Sequence, residues 1–228
     1  ANANNAFITK PGYPIASFYG YKYIGVFQSE EELAKYPHLS GDKVGDGRYE
    51  DVNKDGVLDQ NDKTILGDNN PLFTAGFSNS FSYKNFTLDI QFTGSYGAEV
   101  FSFYKRMCGI YHGDRNGMIE QLGRWQSKDQ PGDGIHFRPT RTPSGWQRDP
   151  SSAWVQDASY LRLRNLTLGY NFDQKVLDKM KMKGLRLYVT GQNLFTITNY
   201  VGYDPETSSE SGLAQGGDYL GYPAARSF

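Results

Sequence analysis

The chain has 228 residues, enough for one domain of ordinary size or two small ones. It carries 14 Phe, 17 Tyr, 3 Trp and 26 Gly, yet only 38% of it is hydrophobic and its mean hydropathy is −0.63. No run of about 18 apolar residues occurs, which excludes a helical membrane protein, and the aromatic content argues against a helix bundle or a disordered chain; the 24 Lys plus Arg against 25 Asp plus Glu leave a net charge of −1 and no basic field for nucleic acid. What remains is a β-rich protein whose apolar surface is mostly aromatic. The single cysteine, Cys108, forms no internal disulfide, and His38, His112 and His136 have no ligand-like spacing. The chain starts without Met and without an apolar signal core, so a mature protein or a piece of a larger one is expected.

In chain order, a first strand is expected over about 17–27, where Phe18, Gly20 and Lys22 alternate with Tyr19, Tyr21 and Tyr23. A long loop, about 28–71, follows. Phe73, Ala75, Phe77, Asn79, Phe81 and Tyr83 then mark a strand over 72–83, and Phe86, Leu88, Ile90 and Phe92 mark another over 86–94. Only Lys84-Asn85 separates them, which predicts a tight hairpin. A second long loop, about 95–158, has little periodicity. In the strand 159–172 the apolar parity switches from odd (Leu161, Leu163) to even (Leu166, Leu168, Tyr170, Phe172), predicting a bulge near Arg164-Asn165. The connection 173–184 reads as one or two helical turns. The last strand is expected over 185–197, and a third loop over 199–225. Connections therefore run long, short, long, short, long. Structureless loops of that length are unusual in a compact soluble domain, but a transmembrane β-barrel has short turns on one side and long loops on the other. Alternation by itself also suits a soluble sandwich with one wet face.

One segment carries a chemical motif. In Asp51-Val-Asn-Lys-Asp-Gly-Val-Leu-Asp-Gln-Asn-Asp62, side-chain oxygens stand at Asp51, Asn53, Asp55, Asp59 and Asp62, Gly56 takes the sharp turn, and Val57 offers its carbonyl. A hard cation such as Ca²⁺ wants six to eight oxygens, and this EF-hand-like spacing wraps them around a point. The residues before it, Gly47-Arg-Tyr-Glu-Asp, read as a strand rather than an entering helix, so the loop is a staple rather than a sensor. The plainer reading is an Asx-turn loop without metal.

Other candidates are weaker. Arg162 and Arg164 fall on the polar face of their strand, where they either line a solute path or pair internally. Gln192 and Asn193 either bind solute or satisfy each other and the backbone. Trp125, Trp146, Trp154, Tyr104 and Tyr111 either stack on sugar rings or form the core that a 60-residue loop needs. His112 with Asp114 is too isolated for catalysis, and neither a nucleophile elbow, a phosphate loop nor a paired-carboxylate site is present, so no enzyme is expected.

Five motifs together resemble one family: Gly20-Tyr-Lys-Tyr-Ile-Gly-Val-Phe-Gln28 with Glu30-Glu-Glu-Leu33; Gly47-Arg-Tyr-Glu-Asp-Val-Asn-Lys-Asp-Gly56; Asp157-Ala-Ser-Tyr-Leu-Arg-Leu-Arg-Asn-Leu-Thr-Leu-Gly-Tyr170; Leu187-Tyr-Val-Thr-Gly-Gln-Asn-Leu194; and Gly202-Tyr-Asp-Pro-Glu206. In this order they look like the C-terminal region of SusC/RagA-type TonB-dependent transporters of Bacteroidetes outer membranes, over about residues 12–228. The resemblance implies an all-β fold: the C-terminal strands of a 22-stranded antiparallel transmembrane β-barrel, with the three long loops extracellular and both short connections periplasmic. It also implies a plug domain, which these residues lack, and a SusD-like surface lipoprotein acting as a lid. Oligosaccharides or peptides would be imported with energy from TonB, across the bacterial outer membrane and in contact with its lipid. The stretch Tyr222-Pro-Ala-Ala-Arg-Ser-Phe228 stops where the family's last strand is expected to begin, and the five strands cannot close a barrel alone, so a fragment is expected. The alternative from another class is a soluble, calcium-stabilised β-module for glycan binding or adhesion. The two differ in where Phe73, Phe77, Phe81, Phe86, Leu88 and Phe92 point: to lipid in a barrel, to a protein core in a sandwich.

Overall fold

A computed structural model describes residues 6–109, 117–140, 149–207 and 212–228. The chain divides into two compact units.

The first unit comprises residues 1–69, 99–156 and 207–221. Its elements are short: β1 (Phe7–Ile8), β2 (Ser17–Gly20), β3 (Tyr23–Val26), α1 (Glu30–Lys35), β4 (Gly47–Tyr49) and β5 (Thr64–Gly67). Strand β2 lies between β1 and β5, and β3 pairs with β4. Helix α1 starts because Ser29 caps it, its hydroxyl accepting from the backbone N–H of Glu32, with three glutamates in the first turn facing the positive end of the helix dipole.

The strand expected over 17–27 is therefore two strands, and neither joins the sheet built by the other predicted strands. The physical reason is visible at two glycines. The backbone of Pro150 crosses Gly20 so closely that a Cβ there would collide with its carbonyl, and Tyr21 donates its N–H to that carbonyl at 2.9 Å. Gly25 has φ +120°, and the pairing of β3 with β4 slips a register between Tyr23 and Gly25. Ser17, Phe18, Gly20 and Tyr21 are all buried, whereas a wall strand buries alternate residues at most.

The second unit comprises residues 70–98, 157–206 and 222–228. Strands β6 (Phe73–Tyr83) and β7 (Phe86–Tyr96) close on the two-residue turn Lys84-Asn85, with Tyr83 opposite Phe86 and Phe73 opposite Tyr96. Between them and the later strands, the first unit adds β8 (Glu99–Ser102), α2 (Phe103–Gly109) and β9 (Val155–Asp157). Strand β10 (Tyr160–Asn171) then pairs antiparallel with β7, and β11 (Arg186–Thr198) follows after α3 (Gln174–Met180), giving the meander β6-β7-β10-β11. A short β12 (Gly217–Asp218) runs parallel to β8, in the sheet β12-β8-β9.

The register puts one kind of side chain on each face of the meander. Phe77, Phe92 and Leu163 lie in line, as do Phe81, Leu88, Leu168 and Val189, and Tyr83, Phe86, Tyr170 and Leu187. The opposite face carries rows such as Ser80, Asp89, Thr167 and Thr190. The predicted bulge is present: pairing shifts between Leu163 and Asn165 on both neighbours, leaving Arg164 extra, and this keeps Leu161 and Leu166 on the same face. On β11 the residues opposite it are Asn193, at φ +52°, and Leu194.

The long loops carry structure of their own, in keeping with the strand read before the acidic loop and with the core that a 60-residue loop needs. Residues 28–71 hold α1, β4, β5 and a 3-10 turn, while 95–158 opens with the last residues of β7 and holds β8, α2 and β9. The reason is a separate core: Phe18, Val26, Phe101, Phe103, Phe137 and Trp154 are buried together, with Trp125 packed against them. The indole of Trp154 meets the Phe137 ring edge-on at 6.1 Å. Of the aromatics read as either sugar platforms or loop core, Trp125 and Trp154 are core. Trp146 and Tyr111, like His112 and Asp114, lie outside the described residues.

Candidate functional site

The polar face of the meander carries its densest chemistry at the end nearer the long connections. Arg162 is 3% exposed. Its Nε donates to Thr196 Oγ1 at 2.8 Å, Nη1 to Glu206 Oε2 at 2.6 Å and Nη2 to Asp204 Oδ1 at 2.5 Å. Arg164 donates Nε–H to Thr93 Oγ1 at 3.0 Å and pairs with Glu206 Oε1, which also accepts from the Tyr160 hydroxyl at 2.5 Å. The bulge is what lets Arg164 join: the extra residue stays on the polar side beside Arg162 instead of displacing the apolar register.

Asp204 ties three stretches of chain. Its Oδ1 accepts from Arg162 and from the backbone N–H of Glu206, and its Oδ2 from the N–H of Ala224 at 3.0 Å. Burial pushes its carboxyl up, but the Arg162 hydrogen bond, the N–H groups of Ala224 and Glu206 and the guanidinium charge outweigh that and hold it below the ordinary carboxylate range. The segment 199–206 is thus strapped to the meander strands. Two guanidiniums face two carboxylates, so the cluster has no net charge with which to draw an anionic solute. Of the two roles read for Arg162 and Arg164, internal pairing is the one the geometry supports. Asp204 and Glu206 were legible only as part of a family motif. The chemical signal for them is a Pro-centred pair of acids two residues apart, ready to straddle a guanidinium.

Gln192 exchanges both backbone hydrogen bonds with Ser227, and Asn193 donates its side-chain amide to the Ala225 carbonyl at 3.1 Å. Both thus bond to backbone groups rather than to each other. Beside them lies a polar cavity of about 360 Å³ lined by Arg162, Asn193, Thr196, Asp204 and Arg226 among others.

In the first unit the acidic loop is held by its own backbone. Asp51 accepts from the N–H of Lys54 at 2.6 Å and of Gly56 at 2.9 Å, Asn53 from Asp55, Asp55 from Val57, and Asp59 from Asn61. Lys54 and Gly56 take left-handed φ values of +61° and +85°, the tight turn the motif needs. Asp62 is fully buried and accepts from the N–H groups of Val52, Asn53 and Asp59, clamping the two ends of the loop together. Leu58 anchors the loop in an apolar cluster with Tyr21 and Tyr49. The oxygen inventory suits a hard cation, but Asp51, Asn53, Asp55 and Asp59 each accept hydrogen bonds from nearby backbone. Among the described residues no three His, Cys, Asp or Glu side chains gather as a metal cluster.

The chain is similar to several known proteins. TonB-dependent receptor P3 of Formosa agariphila is 35% identical over 97% of this chain, and TonB-dependent receptor P26 of that organism is 32% identical over 94%. TonB-dependent receptor SusC of Bacteroides thetaiotaomicron is 27% identical over 96%. No family model matches the chain. In fold, the chain superposes on a structure of the RagAB peptide transporter with a TM-score of 0.75 and 22% identity, covering 98% of this chain and 23% of that one. The chain spans about a fifth of the length of these receptors, 22% of P3 and of P26 and 19% of SusC. In sequence over nearly its whole length, and in fold, the chain is therefore SusC/RagA-like, matching a region of the TonB-dependent receptors.

Proposed function

We propose that this chain is part of the wall and outer loops of a TonB-dependent outer-membrane importer. In this reading the barrel has 22 strands, a SusD-like lipoprotein covers its mouth, and oligosaccharides or peptides pass through it. The observation that carries the proposal is the meander's apolar face. Phe73, Phe77, Phe81 and Phe86 are each more than half exposed, as are Leu168 and Val189, while Leu88 and Phe92 are half-buried. An apolar face of this extent on strands of 11 to 13 residues matches a lipid-facing wall. The polar face, with its ion-pair network, suits a water-filled lumen. The short connections 84–85 and 172–185 lie at one end of the sheet, as periplasmic turns do.

The experiment is uptake by cells bearing the natural protein, with and without a working TonB. Import of a labelled oligosaccharide or peptide that stops when TonB is removed supports the proposal. Recovery of the 228 residues alone as a monodisperse, detergent-free, cooperatively melting protein would overturn it in favour of a soluble β-module.

We propose in addition that the loop 51–62 takes up Ca²⁺ through Asp51, Asn53, Asp55, Asp59, the Val57 carbonyl and Asp62. The ion would draw the exposed carboxylates inwards and stiffen the loop over its Leu58 anchor. Calorimetric Ca²⁺ titration of the natural protein and of Asp55→Ala decides this: identical traces sink the metal reading.

A further inference from the structure

We propose that the basic connection between β10 and β11 docks the phosphate headgroup of an anionic phospholipid, whose acyl chains lie along the adjoining apolar face of the meander. This rests on the importer reading for its lipid-facing wall and adds a lipid-selective anchor to it.

The connection is built locally. Helix α3 closes at Lys181, which takes φ +53° and donates its N–H to the Asp178 carbonyl at 3.2 Å, while Met182 donates to the Leu177 carbonyl at 3.0 Å. Leu177 is buried and seats the helix, whereas Val176 and Met180, four residues apart and so on one side of it, are exposed. The neighbouring turn is tied to this connection. Asn171 donates its N–H to the Asn85 carbonyl at 2.9 Å, and Asn85 donates its side-chain amide to Asp173 at 2.7 Å. Lys84, whose ammonium stands 5.3 Å from the centre of the Tyr83 ring, therefore joins the same end of the sheet.

Uncompensated charge meets apolar surface there. Lys84, Lys175, Lys179, Lys181 and Lys183 are all exposed, against only Asp173 and Asp178, in a chain whose net charge is −1. Surface lysines are ordinarily interspersed with acids. Here Asp173 accepts from Asn85 and Asp178 from Gln174, and among the described residues none of the five lysines has an ion-pair partner. At the other end of the same sheet Arg162 and Arg164 are matched by Asp204 and Glu206, so the excess is local to this end. Beside it the apolar face closes with the row Tyr83, Phe86, Tyr170 and Leu187, and Phe172 meets Tyr170 edge-on at 5.0 Å. Aromatic rings at the end of a lipid-facing row mark the level of the headgroups. Lysines at that level reach the phosphates, while their stems, Val176 and Met180 rest at the edge of the hydrocarbon. An acidic protein would answer the lysines but not the aromatic row, and free phosphate would answer neither the row nor the exposed Val176 and Met180.

The natural protein is reconstituted in vesicles of phosphatidylethanolamine with a minor fraction of phosphatidylglycerol, then gently extracted, and its retained lipids are counted by native mass spectrometry. Phosphatidylglycerol is expected in about tenfold excess over its share of the vesicle, an excess that shrinks with added salt. Each lysine near an anionic surface is worth about fivefold in affinity, so Lys179→Gln with Lys183→Gln should abolish the excess. Lys179→Arg with Lys183→Arg keeps the charge and should keep the excess. Lys35→Gln with Lys43→Gln removes the same charge from the first unit and should change nothing. No excess in the natural protein, or an equal excess in the glutamine variant, overturns the anchor. Displacement of the lipid by inorganic phosphate alone also overturns it, in favour of a simple phosphate site. Loss of TonB-dependent uptake in the glutamine variant with its lipid excess intact overturns it in favour of a protein partner. TonB-dependent uptake by a natural protein without the excess leaves the importer standing and removes the anchor; a lysine-dependent excess without TonB-dependent uptake does the reverse.

Discussion

Replacing Arg162 by Met tests the strap most directly. The substitution keeps the apolar stem and removes a guanidinium that is 3% exposed and bonded to Thr196, Asp204 and Glu206. Breaking a buried pair by removing one partner costs about 3–5 kcal/mol, because the other charge is left uncompensated. Here the lower end applies. Glu206 is a quarter exposed and keeps Arg164 and Tyr160, so the loss falls mainly on Asp204, whose side chain is 13% exposed. At about 3 kcal/mol, the population in which segment 199–206 lifts from the wall rises roughly a hundredfold. Native-state proteolysis within that segment, in the natural protein held in lipid, reads this population directly when reclosing is fast. Arg164→Met is the internal control: Arg164 is 32% exposed on its side chain and Glu206 keeps its other partners, so cleavage rises only a few-fold. The double variant Arg162→Met with Asp204→Asn is expected to cost less than the two singles together, since each removes the other's partner. Cleavage of Arg162→Met at the parent rate, or additive costs in the double variant, would refute the strap.

The same assay run against pH reads Asp204. Its folded carboxyl is held below the ordinary value, so its contribution is present above the unfolded pKa of about 4 and is lost as pH falls through the lower folded value; cleavage should climb below about pH 4, and Asp204→Asn should flatten that climb. Phe77→Arg and Ser78→Arg differ by one residue on β6 and face opposite ways: the first is expected to destabilise the barrel in lipid by about 2–4 kcal/mol and the second far less, and equal losses in urea unfolding from vesicles would contradict a lipid-facing aromatic row. Gly20→Ala sets a methyl against the Pro150 carbonyl, so about 1–3 kcal/mol should be lost from the first unit, seen as faster proteolysis near residue 150 with the meander unaffected.

The sequence by itself determined the wall. Period-2 alternation is a local property of an extended chain, so Phe73 to Tyr83, Phe86 to Phe92 and Leu187 to Ile197 declare both the strand and its two faces. The parity switch at Arg164-Asn165 located a bulge for the same local reason. The motif from Asp51 to Asp62 likewise foretold a tight, self-bonded loop, because its turns are made by neighbouring residues. Where contacts are distant, local pattern misled. The alternation at 17–27 is as regular as a wall strand's, yet the Pro150 backbone lies against Gly20 and splits it in two, an approach that 130 residues of separation hide. Equally, 95–158 called for a core without saying which residues build it, because Phe101, Phe137 and Trp154 follow no period; they meet only once Phe18 and Val26 arrive from another part of the chain. The fate of Arg162 and Arg164 was decided in the same way. Alternation placed them on the polar face, but whether they line a path or close a network depends on Asp204 and Glu206, more than 40 residues further on. Periodicity fixes which way a side chain points, and only the folded chain supplies what it meets there.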